Sequence, residues 1–256
     1  MEILIPRGFL PIGTKLVILG YFEVEMMSEF DPLAEGFDTE IQIETGKIIS
    51  AAIREYIIDG KEKTAIDYGC GTGLVGLELL DAFKSILFVD SSINMLEITK
   101  KKIEAIDADN ADTLFADFVD EIPEGLKTDC LFMSRVLHHV IEYEPFLAQI
   151  SEIINPAGHL IIVDFDEIDE DMPEQEAEIQ TSPDSANAHQ QSEHHKHNDQ
   201  HGGDIFHDMH MGLDQTILLQ IINKLPFAKA ESKTFYHGKK IFRNRDASLF
   251  ILHAQK

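Results

Sequence analysis

Asp67 and the glycines that follow it are the residues best suited to chemistry. The stretch Thr64-Ala65-Ile66-Asp67-Tyr68-Gly69-Cys70-Gly71-Thr72-Gly73-Leu74-Val75-Gly76 reads as a short buried strand, a tight turn and the start of a helix. Glycine is required where the backbone takes φ > 0 or must lie against a ligand with no side chain between them. Such a turn, feeding a helix at the carboxyl end of a parallel strand, is a cradle for a nucleotide-like cofactor. The spacing G-x-G-x-x-G of Gly71, Gly73 and Gly76 is a weak signal by itself and fits a dinucleotide. The acid upstream discriminates. A carboxylate at position 67 repels a pyrophosphate by about 1 to 4 kcal/mol at ~4 Å, according to the local dielectric, and attracts an ammonium or a sulfonium. The sign of this charge favours S-adenosyl-L-methionine over NAD.

Two more acids stand at strand ends. Asp90 ends the run Ser85-Ile86-Leu87-Phe88-Val89, 19 residues after Gly71, where a carboxylate can accept both ribose hydroxyls of an adenosine. Asp117 and Phe118 follow the next run, Asp112 to Ala116. There a carboxylate can reach an adenine amino group and the following N–H a ring nitrogen, with Phe118 or Met95 on the adenine face. The candidate bases are His138, His139, His207 and His210, needed only if the acceptor is a hydroxyl or carbon nucleophile. A packed, loop-holding role for one of the pair His138-His139 competes with that reading.

These residues need elements to position them. Apolar runs at about 63–68, 85–89, 112–116, 129–133 and 158–163 alternate with helical stretches at about 74–83, 93–105 and 143–154. That is the pattern of a buried parallel sheet with right-handed crossovers. A helix over about Ile41 to Ile58 precedes them; Ile48, Ile49, Ala52, Ile53, Tyr56 and Ile57 share one face. After the sheet, Asp214 caps a helix with Ile217, Leu218, Ile221, Ile222 and Leu225 inside, and two strands near 230–236 and 247–253 can form an antiparallel hairpin.

Four segments then resemble the successive motifs of class I S-adenosylmethionine-dependent methyltransferases, in order and at the family's distances. They are Asp67-Tyr68-Gly69-Cys70-Gly71-Thr72-Gly73, Asp90-Ser91-Ser92-Ile93-Asn94-Met95-Leu96, Ala116-Asp117-Phe118 and Ser134-Arg135-Val136-Leu137-His138-His139-Val140. Asn155-Pro156-Ala157-Gly158 is similar to the family's K-P-G-G turn, with Asn and Ala as departures. The resemblance covers residues 30–165 well and continues more weakly from Ile205. It implies an α/β fold: a Rossmann-like, seven-stranded, mostly parallel sheet with helices on both faces and an antiparallel C-terminal strand. It also implies roles. Asp67 with the backbone of Gly69, Gly71 and Gly73 would hold the methionine moiety, Asp90 the ribose, Asp117 and Phe118 the adenine, and Ser134 would lie beside the methionine end. Ser91 and Met95 complete the cofactor-binding set. None of these breaks a bond, since the sulfonium is an activated donor and alignment supplies the catalysis.

Composition narrows the partners. The 256-residue chain carries a net charge of -25, which opposes phosphate backbones and argues against nucleic acid as a substrate class. A small-molecule methyl acceptor is expected instead. Cys70 and Cys130 suggest neither a disulfide framework nor a zinc site, so a reducing cytoplasm is expected. No apolar run reaches the roughly 18 residues of a membrane helix. The domain reading is an N-terminal extension at 1–26, a cofactor-binding core at 27–165, an insertion at 166–204 and the rest of the same domain at 205–256. The extension is either a loose hairpin or sequence preceding a start at Met26 or Met27. The insertion is acidic and His-rich, with too little apolar content to offset its ordering entropy. Its His189, His194, His195, His197 and His201 lack a rigid frame, so no metal site is assigned there. The alternatives are a binding protein without turnover, whose His-rich segment senses metal or pH, and an NAD-dependent enzyme.

Overall fold

A computed structural model describes residues 30–167, 210–242 and 244–256. Residues 1–26, His207 and the five insertion histidines lie outside the described residues. Seven strands form one sheet: β1 (Thr64–Tyr68), β2 (Ser85–Asp90), β3 (Ala111–Phe115), β4 (Thr128–Ser134), β5 (Ile154–Phe165), β6 (Lys229–Phe242) and β7 (Arg245–Gln255). Their order is β3-β2-β1-β4-β5-β7-β6. The first five strands pair in parallel, and β7 runs antiparallel to both β5 and β6. This is the doubly wound sheet with an antiparallel last strand that the motifs implied.

Both faces of the sheet are covered. Ile66, Leu87, Val89, Leu131 and Met133 point to one side, against Phe146, Leu147 and Ile150 of α3 (Tyr143–Ile153) and Leu218 and Ile221 of α4 (Gln215–Ile222). Their neighbours Ala65, Ile86, Phe88, Cys130 and Phe132 point to the other. There they meet Ile49 and Ile53 of α1 (Glu40–Arg54) and Leu96 and Ile103 of α2 (Ile93–Ala105). A strand flanked on both sides must be apolar at every position, which is why these runs do not alternate.

The caps are local. Thr39 accepts the Gln42 N–H at the start of α1, Ser92 the Met95 N–H at α2, and Asp214 the N–H groups of Thr216 and Ile217 at α4, each satisfying donors that the helix leaves orphaned.

Three expected elements differ. The first helix, read to about Ile58, ends at Arg54. The helix read over Leu74 to Phe83 is a 3-10 segment, Gly76–Ala82. Gly71 and Gly73 take φ of +54° and +80°, which bars a right-handed helix through Gly73. The expected C-terminal end of α4 at Leu225 also falls earlier, at Ile222.

Candidate active site

The chain runs outward from β1 through β2 to β3, then returns to the other side of β1 as β4. A crevice opens where that order reverses, beyond the carboxyl ends of the strands. It holds a cavity of about 960 Å³, lined by the glycine turn after β1, the ends of β2 and β3, and the β4 segment 134–140. Phe30, Phe37 and Gln42 border it on the N-terminal side, and Phe165 and Phe242 on the C-terminal side.

The segment before α1 is pinned over the turn. Asp31 accepts from Ser92 Oγ at 2.6 Å and from the Asn94 N–H at 3.2 Å. Asp38 accepts from Thr72 Oγ1 and pairs with Lys102 at 2.6 Å, while Lys102 donates to the Thr72 carbonyl at 2.8 Å. These contacts hold Phe37 near Gly71, where a Cβ would stand open to the cavity with only the Phe37 ring within reach, at 3.8 Å. Across the crevice, Gly69 (φ +65°) lets Val136 approach to where a Cβ would meet its methyl at 2.3 Å.

Asp67, Asp90 and Asp117 all line the cavity, and each already holds backbone. Asp67 is 2% exposed, and its Oδ2 accepts the Gly76 N–H at 3.1 Å. Burial pushes its carboxyl well above the usual range; the Gly76 N–H opposes this and the charge of Asp90 adds to it. Asp90 accepts the Gly71 N–H at 2.7 Å and the Ser92 N–H at 2.8 Å. Burial raises it as well, against both hydrogen bonds and with the charges of Asp117 and Asp31. Each Asp90 oxygen keeps a lone pair for a ligand. One oxygen of Asp117 accepts from Tyr68 Oη at 3.1 Å and from the Val119 N–H at 2.9 Å, leaving the other for the cavity. Ser91, Met95 and Ser134 line the same space, and Ser134 Oγ is a buried polar atom with no partner among the described residues.

Phe118 corrects the sequence reading. Its side chain is fully buried and stacked on Tyr68 at 4.9 Å between ring centroids, so it does not pack on the adenine face. It shapes the site by supporting Tyr68; of the two residues read as adenine neighbours, Met95 is the one at the cavity wall.

The histidines separate. His138 is 3% exposed, and its Nδ1 lies 2.7 Å from Oδ1 of the fully buried Asp164. Asp164 also accepts the backbone N–H of His138 at 3.2 Å and that of Phe165 at 2.8 Å. Burial alone would raise the Asp164 carboxyl, but His138 and these N–H groups hold it below the usual value. His139 meets the Phe30 ring edge-on at 5.1 Å. His210 ties its backbone N–H to the His138 carbonyl at 3.0 Å and sets its ring against Tyr143, away from the cavity lining.

Arg135 and Asp164 had no role in the sequence reading. Arg135 takes φ +59° and donates through one terminal nitrogen to Gln42 Oε1. Its Nε is buried without a partner among the described residues. Burial pulls its pKa to about 10, against the attraction of Asp164, so it stays charged at neutral pH. Among the described residues it is the one Lys or Arg lining the cavity, whose wall also holds Asp67, Asp90, Asp117, Asp120 and Glu121. Asp164 had a findable signal: it follows the apolar run 160–163 at a strand end, as Asp67 and Asp90 do. Arg135 had none beyond its place in the β4 motif.

The model of the family described as a methyltransferase domain matches residues 59–224. Over 110 residues the chain is 26% identical to a protein of Oceanobacillus iheyensis described as an uncharacterized methyltransferase. That match covers 42% of this chain and spans about half, 49%, of the relative. Among solved structures, the DhpI complex with S-adenosylhomocysteine is 15% identical at a TM-score of 0.58, over 88% of this chain and 92% of that one. Phosphoethanolamine N-methyltransferase 2 of Haemonchus contortus, in complex with S-adenosyl-L-methionine, is 13% identical at 0.60, over 91% of this chain and 60% of that one. At these identities the two structures establish the fold.

Proposed function

The chain belongs to the class I S-adenosylmethionine-dependent methyltransferase family, and from that premise we propose that it transfers the methyl group of S-adenosyl-L-methionine to a small-molecule acceptor in the 960 Å³ cavity. One observation carries the reading. Five carboxylates and a single guanidinium line the described cavity, the complement of a ligand with an ammonium, a sulfonium and one carboxylate. A diphosphate would meet the same acids as repulsion.

The residues present fit the cofactor. The glycine turn leaves open space at Gly71 where a side chain would intrude. Ser134 Oγ, buried and without a partner among the described residues, is a polar atom that a bound methionine moiety would pair. Asp67 and the glycine-turn backbone face the ammonium, Arg135 with Gln42 beside it takes the α-carboxylate, Asp90 and Ser91 accept ribose hydroxyls, and Asp117 and Met95 border the adenine. When bound, the cofactor supplies an electrophilic methyl group on a positively charged sulfur. The protein's part is to exclude water and hold the acceptor in line. Phe30, Phe37, Phe165 and Phe242 supply apolar walls for that. The size of the cavity and the negative net charge support a small acceptor over a nucleic acid.

The test is binding followed by transfer. S-adenosylhomocysteine at about 100 times its Kd raises stability by about 2.7 kcal/mol, read as a higher Tm. NADH at equal concentration leaves Tm unchanged. Absence of a shift with S-adenosylhomocysteine at millimolar concentration defeats the proposal.

A further inference from the structure

The pair His138–Asp164 is more than the cofactor site requires. The hydrogen bond at 2.7 Å to a carboxylate held by two backbone N–H groups sets the imidazole with its proton on Nδ1. An imidazole so fixed keeps a lone pair on Nε2. No described residue bonds that nitrogen, and it is not among the sealed polar atoms. The ring itself lines the cavity beside Phe165 and Phe242, which approach it edge-on at 5.4 and 5.8 Å. The charged or titratable groups around it are Asp164 from β5, His139 and Arg135 from its own segment, and His210, which contacts its backbone.

Resting on the methyltransferase reading above, the geometry points to His138 as the group that takes the acceptor's proton, with Asp164 as its positioning residue. The acceptor class follows: a hydroxyl that still carries its proton at neutral pH, rather than an ionised thiol. In the step, the acceptor's lone pair bonds the methyl carbon and the carbon–sulfur pair stays on sulfur as a thioether. The acceptor's proton passes to Nε2, and Asp164 stabilises the imidazolium. A base so placed contributes to proton-bearing acceptors and nothing to a thiolate.

The experiment uses the full chain labelled with 15N-histidine, His138 being assigned by its loss in His138→Gln. The expected neutral tautomer is Nδ1–H, with the Nε2 resonance moving when catechol is added to the S-adenosylhomocysteine complex. Methyl transfer to catechol and to thiophenol is then compared. His138→Gln loses about 100-fold or more on catechol and little on thiophenol, while S-adenosylhomocysteine affinity is unchanged. Asp164→Asn shifts the acidic limb of the catechol rate profile to lower pH, which a purely structural contact would not do. An Nε2–H tautomer, an Nε2 resonance indifferent to catechol, or equal loss on catechol and thiophenol overturns the assignment. Where no probe is turned over, the tautomer and the resonance shift decide. Failure of the wild-type chain to bind S-adenosylhomocysteine defeats the methyltransferase reading instead.

Discussion

The carboxylate of Asp67 lies beneath the glycine turn with its Oδ2 3.1 Å from the backbone nitrogen of Gly76. Only a glycine allows this: a Cβ at position 76 would stand 2.4 Å from that oxygen and 2.5 Å from the Phe88 ring. The third glycine of the motif therefore serves the fit between strand end, turn and sheet, not the ligand directly.

Gly76→Ala is expected to destabilise the protein by about 1 to 3 kcal/mol, the usual result of overpacking a filled core. Gly36→Ala, where nothing lies within 4 Å, is the control. Urea denaturation measures both. Equal midpoints for the two variants would contradict the packing account.

Binding of a cationic ligand should release a proton from Asp67. Burial, opposed by the Gly76 N–H and aided by Asp90, holds its carboxyl well above the ordinary value of 3.8. A raised carboxyl stabilises the ligand-free protein at low pH, and that stability is lost as pH rises through the folded-state value. A bound ammonium or sulfonium favours the charged form, so affinity for S-adenosyl-L-methionine should rise with pH across the same window. Calorimetry in two buffers of different ionisation heat counts the protons. Release should vanish in Asp67→Asn; net uptake in the wild type would contradict the prediction.

Arg135 is expected to bind the carboxylate of the methionine moiety. Arg135→Gln should weaken S-adenosylhomocysteine by about 10- to 100-fold, the range of a charged hydrogen bond of about 1.5 to 3 kcal/mol. It should leave 5′-methylthioadenosine, which lacks that carboxylate, unaffected. A parallel loss for both ligands would place the effect elsewhere.

His159 and His253, on the adjacent strands β5 and β7, stand 3.0 Å apart, with Lys63 3.5 Å from His159. Burial and Lys63 lower His159; burial, then His159, pull His253 to about 4. Depressed values mean stability that is present above the ordinary 6.5 and lost as pH falls toward about 4. Tm should decline through that window, and His253→Gln should flatten the decline. Identical slopes would remove the pair from the account.

Much of this was legible in the chain. β2 and α2 fall where the apolar run at 85–89 and the helical stretch at 93–105 put them, because each is specified by signals within a dozen residues. The strand-end acids Asp67, Asp90 and Asp117 were legible for the same reason: the carboxyl end of a parallel strand is where side chains face a ligand. Phe118 was misread because an aromatic beside a loop acid looks the same in sequence whether it turns outward or stacks on Tyr68.

By itself the sequence determined the order of strands and helices, the positive-φ turn and the sign of charge around it, since these follow from residue type and local spacing. Only the tertiary structure decided which distant groups meet. Arg135 beside Gln42, across 93 residues, and His138 against Asp164, across 26, are created by strand pairing and by the N-terminal segment closing over the turn. No local pattern encodes such meetings, because they depend on which backbones the sheet sets side by side.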